Sequence, residues 1–106
     1  MAFKFDELKG KTCIITGGGG VIGKALASAL ASVKCKVIIL DLFKEAADKV
    51  AEEISSEYKV KCEGIAANVL DRLSLVKAKE EINAKYGKID FLINAAGGNH
   101  PTATTK

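Results

Sequence analysis

The sequence predicts an α/β protein: the first half of a doubly wound parallel sheet, in the order β-α-β-α-β-α-β. Three observations carry this. Hydrophobic residues alternate along the chain between short continuous runs and stripes of helical period. Runs such as Val37 to Leu40 are apolar on both faces, as a sheet covered on both sides requires. Each run is followed by a helix-like stripe, and strand–helix alternation favours parallel pairing through crossovers of one hand.

Taken in order, Lys11 to Thr16 is a short β-branched run that meets four glycines at once. Val21, Ile22, Ala25, Leu26, Ala29, Leu30 and Val33 then mark the apolar stripe of a first helix. Lys36 to Leu40 is the second strand, ending at Asp41. Ala47, Val50, Ala51, Ile54 and Tyr58 give a second amphipathic helix with a charged outer face. Val60 to Ala67 reads as the third strand. Asp71 is a natural N-cap for a third helix, with an inner face of Leu73, Val76, Ile82 and Tyr86 and Gly87 at its C-cap. Ile89 to Asn94 is the fourth strand, and Ala95 to Lys106 is a small, polar tail.

The bulk numbers fit this picture. A chain of 106 residues with 48% hydrophobic and 27% charged residues is one domain at most. At this size roughly 60–70% of the unfolded surface is buried, enough for a core without disulfide or metal staples. Of the 16 basic residues only Arg72 is Arg, and the lysines interleave with acids. That is a solvated surface; a nucleic-acid stripe would cluster and favour Arg. No apolar run reaches the ~18–20 residues of a membrane span, and Met1 to Gly10 lacks the apolar core of a signal peptide. Cys13, Cys35 and Cys62 are odd in number, widely spaced and far from the lone His100, which predicts reduced structural thiols in a cytoplasmic protein and no metal site.

Thr16 to Lys24 reads T-G-G-G-G-V-I-G-K between a strand and a helix, and two phosphate-binding motifs fit it. Gly18, Gly20 and Gly23 satisfy the dinucleotide pattern G-x-G-x-x-G, which needs a tight turn, close backbone approach to a pyrophosphate and close helix packing. The helix N-terminus adds N–H donors and the positive end of the helix dipole. Gly18 and Gly23-Lys24 also begin the triphosphate loop G-x-x-x-x-G-K-[ST], but Ala25 stands where that motif needs a hydroxyl on Mg²⁺. Asp41 favours the dinucleotide reading. It ends the second strand 18 residues after Gly23, where a carboxylate accepts hydrogen bonds from an adenosine ribose. A structural glycine turn, with Asp41 as a helix cap or surface acid, is the alternative. A carboxylate there repels a 2′-phosphate, so NAD is expected over NADP; Lys44 is the nearby base that could reach such a phosphate.

Together these motifs resemble the short-chain dehydrogenase/reductase family. The resemblance runs through the lead-in Leu8 to Lys11, the strand-end Thr16 with its glycine loop, Asp41, the Asn68-Val69 pair after strand three, and N-A-A-G at Asn94 to Gly97 after strand four. It implies a Rossmann-type fold and a cofactor site made of Gly17, Gly18, Gly20, Val21, Ile22, Gly23, Asp41, Asn68, Val69, Asn94, Ala96 and Gly97. Three positions depart from the family pattern. The family loop T-G-x-x-x-G-x-G puts glycine at 21, here Val21, so Gly20 is expected to provide the close approach. The usual Asp after strand three is Asn68, whose amide can still donate to and accept from adenine, and Ala95 replaces one Asn of N-N-A-G. T-G-G-G-G-V and the tail G-G-N-H-P-T-A-T-T (Gly97 to Thr105) further resemble the D-mannonate oxidoreductase (fructuronate reductase) branch.

The resemblance implies acid–base catalysis by a Tyr whose pKa is lowered by a Lys four residues later, with a Ser orienting the substrate. No such pair occurs here: Tyr58 is followed at that distance by Cys62 and Tyr86 by Asp90. No catalytic residue is therefore assigned; Asn99 and His100 would lie near the nicotinamide end of the cleft and could touch substrate, with an ordinary loop role for His100 in its Gly-Asn-His-Pro turn as the alternative. Residues 1–106 are expected to be the NAD-binding half of an enzyme whose catalytic half lies beyond Lys106, inactive alone and a homo-oligomer when full length. Its substrate is expected to be a sugar-acid alcohol or ketone. A stand-alone nucleotide-binding or interaction module using its open sheet edge, or a reductase of another carbonyl substrate, are the other readings.

Overall fold

A computed structural model of the chain describes residues 8–17, 19–68 and 70–95. The seven elements follow the expected order: β1 (Thr12–Thr16), α1 (Val21–Ser32), β2 (Lys36–Asp41), α2 (Lys44–Tyr58), β3 (Cys62–Ala66), α3 (Arg72–Tyr86) and β4 (Phe91–Asn94). The strands form one sheet in the order β3-β2-β1-β4, and every pairing is parallel. The Rossmann-like half-sheet inferred from the sequence is therefore present.

Both faces of the central strands β1 and β2 are covered, which explains their continuous apolar sequence. Cys13, Ile15, Val37 and Ile39 point to the face packed by α1 and α2. Ile14, Ile38, Leu40 and Ile65 point to the other face, packed by Ala78 and Ile82 of α3. Ile14, Ile15, Ile38, Ile39, Leu40, Ile54 and Ile82 are fully buried, each worth roughly 1.5–3 kcal/mol against exposure. The chain runs outward from β1 through β2 to β3, and α3 then returns it across the opposite face to β4 on the other side of β1. Strand order thus reverses between β1 and β4, and crevices for ligands open at such points beyond the C-terminal strand ends.

Helix α2 buries Ala47, Val50, Ala51 and Ile54, as its stripe predicts. The other two helices correct the sequence reading. In α1 the buried positions are Gly23, Ala27 and Ala31; Leu26, Leu30 and Val33 pack beside them, whereas Ala25 and Ala29 face outward and Val21 and Ile22 are exposed. A row of small residues lets the helix backbone lie close to the sheet, so the largest residues flank the contact. In α3 the inward row is Leu75, Ala78, Ile82 and Tyr86, while Leu73 and Val76 are exposed. At ~100° per residue, Leu73 lies about 160° around the helix from Leu75. Asp71 does cap α3, its side chain accepting the Leu73 N–H at 3.0 Å, and Gly87 (φ 77°) closes it.

Strand β4 starts two residues later than predicted, because Asp90 takes over the first pairing. Its carboxylate accepts the Thr12 N–H and its N–H donates to the Thr12 carbonyl, both at 2.9 Å. Strand β3 spans only Cys62–Ala66, and Gly64 within it is a contact the pattern did not single out. A Cβ there would lie 2.6 Å from the Ala47 carbonyl carbon and 2.8 Å from the Asp48 nitrogen, so α2 rests its backbone directly on β3.

All three cysteines are free. Burial, with a further push from Cys35, raises the Cys13 thiol to about 12, and burial raises Cys62 to about 12. These thiols stay protonated and serve as packing groups. Among the described residues no helix is long and apolar enough to cross a membrane, and no cluster of metal-ligating side chains occurs.

Candidate functional site

The candidate site lies at the C-terminal ends of β1, β2, β3 and β4. The turn after β1 begins at Gly17, whose φ of 72° lies in the left-handed region that favours glycine. Its N–H donates to the Leu40 carbonyl at 2.7 Å, tying the loop to the end of β2. Gly20 then N-caps α1 in extended backbone (φ −87°), with no side-chain cap and no acidic residue in the first turn. The first-turn N–H groups of α1 have no partner inside the helix and, as in α2, no side-chain cap. The capped α3 offers the contrast.

Gly20 has no internal need to be glycine. Its φ is ordinary, and a Cβ would meet only the Gly17 carbonyl at 3.6 Å, an unstrained contact. The backbone there is left bare for no reason internal to the fold. Val21 in place of glycine has no backbone cost: it opens α1 without positive φ, and its side chain is 88% exposed. Ile22 is exposed beside it, and Gly23 is buried against the sheet.

Asp41 closes β2 and reaches back over this loop. Its Oδ2 accepts the Gly19 N–H at 3.1 Å and its Oδ1 accepts the Phe43 N–H at 3.1 Å. Lys44, the base expected within reach of a 2′-phosphate, is turned elsewhere. Its ammonium lies 2.5 Å from Asp48 Oδ1 and 3.2 Å from the Gly64 carbonyl oxygen.

Asn68 stands exposed after β3. Its Oδ1 accepts the Leu70 N–H at 3.0 Å and its own N–H donates to the Ser74 hydroxyl at 2.9 Å.

On the other side of the crevice Thr16 and Asn94 are register partners across β1 and β4, at the point where strand order reverses. The Thr16 hydroxyl donates to Asn94 Oδ1 at 2.8 Å, which fixes the Asn94 side chain at the mouth. The predicted site residues Gly18, Val69, Ala96 and Gly97, with the candidates Asn99 and His100, lie outside the described residues. The structure brings together Gly17, Gly20, Val21, Ile22, Gly23 and Asp41, with Asn68 and Asn94 on the flanking strand ends.

Sequence reasoning missed Gly19, whose N–H holds Asp41. It also missed the exposed Leu42, Phe43 and Leu70, which follow the C-terminal ends of β2 and β3. The available signal was apolar residues placed just beyond strand ends, outside any buried stripe.

The short chain dehydrogenase family model matches residues 11–106. The chain belongs to the short-chain dehydrogenase family. An uncharacterized oxidoreductase, UxuB, from Bacillus subtilis is 48% identical over 100 residues, covering 94% of this chain and 36% of its own length. A 3-oxoacyl-[acyl-carrier-protein] reductase, FabG, from Aquifex aeolicus is 44% identical over 91 residues, covering 86% and 37%. Among solved structures, a Haemophilus influenza protein provisionally named D-mannonate oxidoreductase, with bound NAD, is 44% identical at a TM-score of 0.81, covering 91% of this chain and 34% of its own. RhlG from Pseudomonas aeruginosa, solved with NADP, is 25% identical at a TM-score of 0.79, covering 88% and 37%. The chain therefore spans about a third of the length of the relatives it matches.

Proposed function

We propose that residues 1–106 are the cofactor-binding half of an NAD-dependent oxidoreductase that moves hydride between a sugar-acid alcohol and its ketone, of the D-mannonate/D-fructuronate type. The observation that carries the cofactor assignment is the Asp41 carboxylate, held at the end of β2 beside the glycine loop. In this reading the uncapped start of α1, from Gly20 to Gly23, takes the pyrophosphate, with Gly17 and Gly18 making the turn. Asp41 takes the adenosine ribose, and Asn68 and Val69 border the adenine. Asn94, Ala96 and Gly97 lie toward the nicotinamide end. Bound NAD supplies the hydride acceptor; the chain's own residues bind and orient it.

Three features support NAD over NADP. Asp41 presents negative charge where a 2′-phosphate would sit, Lys44 is turned toward Asp48 and Gly64, and the NAD-bound neighbour is far more similar than the NADP-bound one. The substrate assignment leans on the D-mannonate name carried by that NAD-bound neighbour and on the resemblance of the T-G-G-G-G-V and tail strings to the D-mannonate oxidoreductase branch. The 44% identity to a 3-oxoacyl reductase supports a second reading, in which the carbonyl substrate is an acyl thioester.

Thermal stability measured with NAD, NADP and ATP–Mg²⁺ tests the cofactor: selective stabilisation by NAD is expected. Equal response to NADP, or stabilisation by ATP–Mg²⁺ instead, refutes it. Nicotinamide absorbance during turnover of the full-length protein on D-mannonate, a pentitol and a 3-oxoacyl thioester tests the substrate. Turnover confined to the thioester would refute the sugar-acid assignment.

A further inference from the structure

Gly19 is a glycine whose backbone does not ask for one. Its φ is not positive, unlike that of Gly17 in the same loop. The reason lies in space. A Cβ on residue 19 would sit 2.8 Å from Asp41 Oδ2 and 2.9 Å from the Ala46 Cβ, in the first turn of α2. Both are closer than real Cβ contacts run. The same residue donates its N–H to the same Asp41 oxygen at 3.1 Å. Residue 19 therefore meets Asp41 twice, once as a donor and once as the bounding surface that a methyl group would fill.

A carboxylate has about four lone-pair sites, two on each oxygen. The Gly19 N–H occupies one on Oδ2 and the Phe43 N–H one on Oδ1, which leaves one on each oxygen. A vicinal diol brings two hydroxyls, one for each remaining site. Held at both ends, the carboxylate also cannot swing aside to make room for a phosphate on the 2′-oxygen.

Resting on the reading of Asp41 as the ribose acid, we infer that Gly19 is a positioning residue that sets cofactor specificity. Its N–H and its missing side chain together fix Asp41 in the orientation that accepts a ribose diol and refuses a 2′-phosphate. The middle position of G-G-G, free in the sequence pattern, is in this chain part of the specificity device.

The test is calorimetric titration of the intact protein with NAD, 2′-deoxy-NAD and NADP, for wild type, Gly19→Ala and Gly19→Ala/Ala46→Gly. Wild type is expected to prefer NAD over 2′-deoxy-NAD by about tenfold, the worth of one charge-assisted hydrogen bond. Gly19→Ala is expected to bring that ratio, and the preference over NADP, close to one. The double variant removes the 2.9 Å contact with the Ala46 Cβ but keeps the one with Asp41 and a 3.2 Å contact with the Ala46 carbonyl carbon. It is expected to recover part of the lost thermal stability while its ratios stay collapsed. A ratio retained in Gly19→Ala overturns the positioning role, as does a ratio restored in the double variant. A wild type that fails to distinguish NAD from 2′-deoxy-NAD overturns the ribose assignment of Asp41 itself, which separates the two failures.

Discussion

Replacing Asp41 with Ala should weaken the fold and the cofactor site together, by separable amounts. In the protein alone, Asp41→Ala removes the acceptor for two N–H groups, each bonded at 3.1 Å. Hydrogen bonds to a charged acceptor are worth roughly 1.5–3 kcal/mol when buried. Asp41 is half-buried, so about 1 kcal/mol for each bond is the reasonable scale, or about 2 kcal/mol in all. For a domain of this size that lowers Tm by roughly 8–16 °C. On the cofactor side, losing the contacts to two ribose hydroxyls costs about 1.5–3 kcal/mol, a fall in NAD affinity of roughly 10- to 150-fold. NADP should bind as well as before or better, because the charge that opposed its phosphate is gone. Asp41→Asn separates charge from shape: it keeps one acceptor oxygen, so Tm should fall less, while the NAD-to-NADP ratio still drops. Differential scanning calorimetry and titration calorimetry on the same samples read both effects. An unchanged Tm would refute the role of Asp41 in tying the two loops together. An unchanged NAD-to-NADP ratio would refute its role at the ribose.

Other substitutions probe the remaining arguments. Gly20→Ala should leave Tm within about 1 °C, since its Cβ has room and its φ is ordinary, yet weaken NAD binding in a titration; a large drop in Tm would show that Gly20 is structural. Gly64→Ala forces a methyl group into the α2 backbone, at 2.6 Å from Ala47, and should cost about 1–3 kcal/mol by chemical denaturation; a neutral result would refute direct packing of α2 on β3. Partial burial works to raise the Glu63 carboxyl, but hydrogen bonds from Lys85 and Tyr86, with the charges of Lys85 and Lys44, outweigh it and hold it below the ordinary value. A depressed carboxylate stabilises the fold above its unfolded pKa, and this is lost as pH falls through the folded one. Glu63→Gln should therefore flatten part of the acid limb of a stability–pH profile, by under about 1 kcal/mol for so exposed a pair; an unchanged limb would show the bonds contribute nothing.

Much of this was legible in the sequence because strands, loops and caps write strong local signals. Asp71 and Gly87 were readable as caps from residue type alone, and α2 from an unbroken stripe on one face. The misread positions share a physical cause. In α1 the true contact row is Gly23, Ala27 and Ala31, and small residues carry little hydrophobic signal although they allow the closest approach. In α3, Leu73 and Val76 compete with Leu75 and Ile82 for the inner face, and only the packed sheet decides between them. Gly19 and Gly64 are glycines for lack of room, and room is set by residues distant in sequence: Asp41 and Ala46 for one, Ala47 and Asp48 for the other. In the site, Asp41 and the glycine loop were identifiable by type and spacing. That the two are bonded to one another was not.

The sheet order also has a consequence for how the molecule comes together in time. The pairs β1–β2 and β2–β3 join strands separated by a single helix, such as Thr12 with Lys36 and Val37 with Cys62. The pair β1–β4 joins Cys13 to Phe91, across the whole of the intervening chain. Closing that longer loop costs about 1 kcal/mol more in chain entropy than closing a single-helix one. Its anchor is small, the four residues of β4 with exposed Phe91 and Leu92 among them. Strands β1 to β3 should therefore assemble first and β4 dock last. In pulsed hydrogen exchange during refolding, the Ile15 to Leu40 region should gain protection before Ile93. The side of the crevice proposed for adenosine would then be complete while the side proposed for nicotinamide is still forming, and the Thr16–Asn94 bond would be among the last to close.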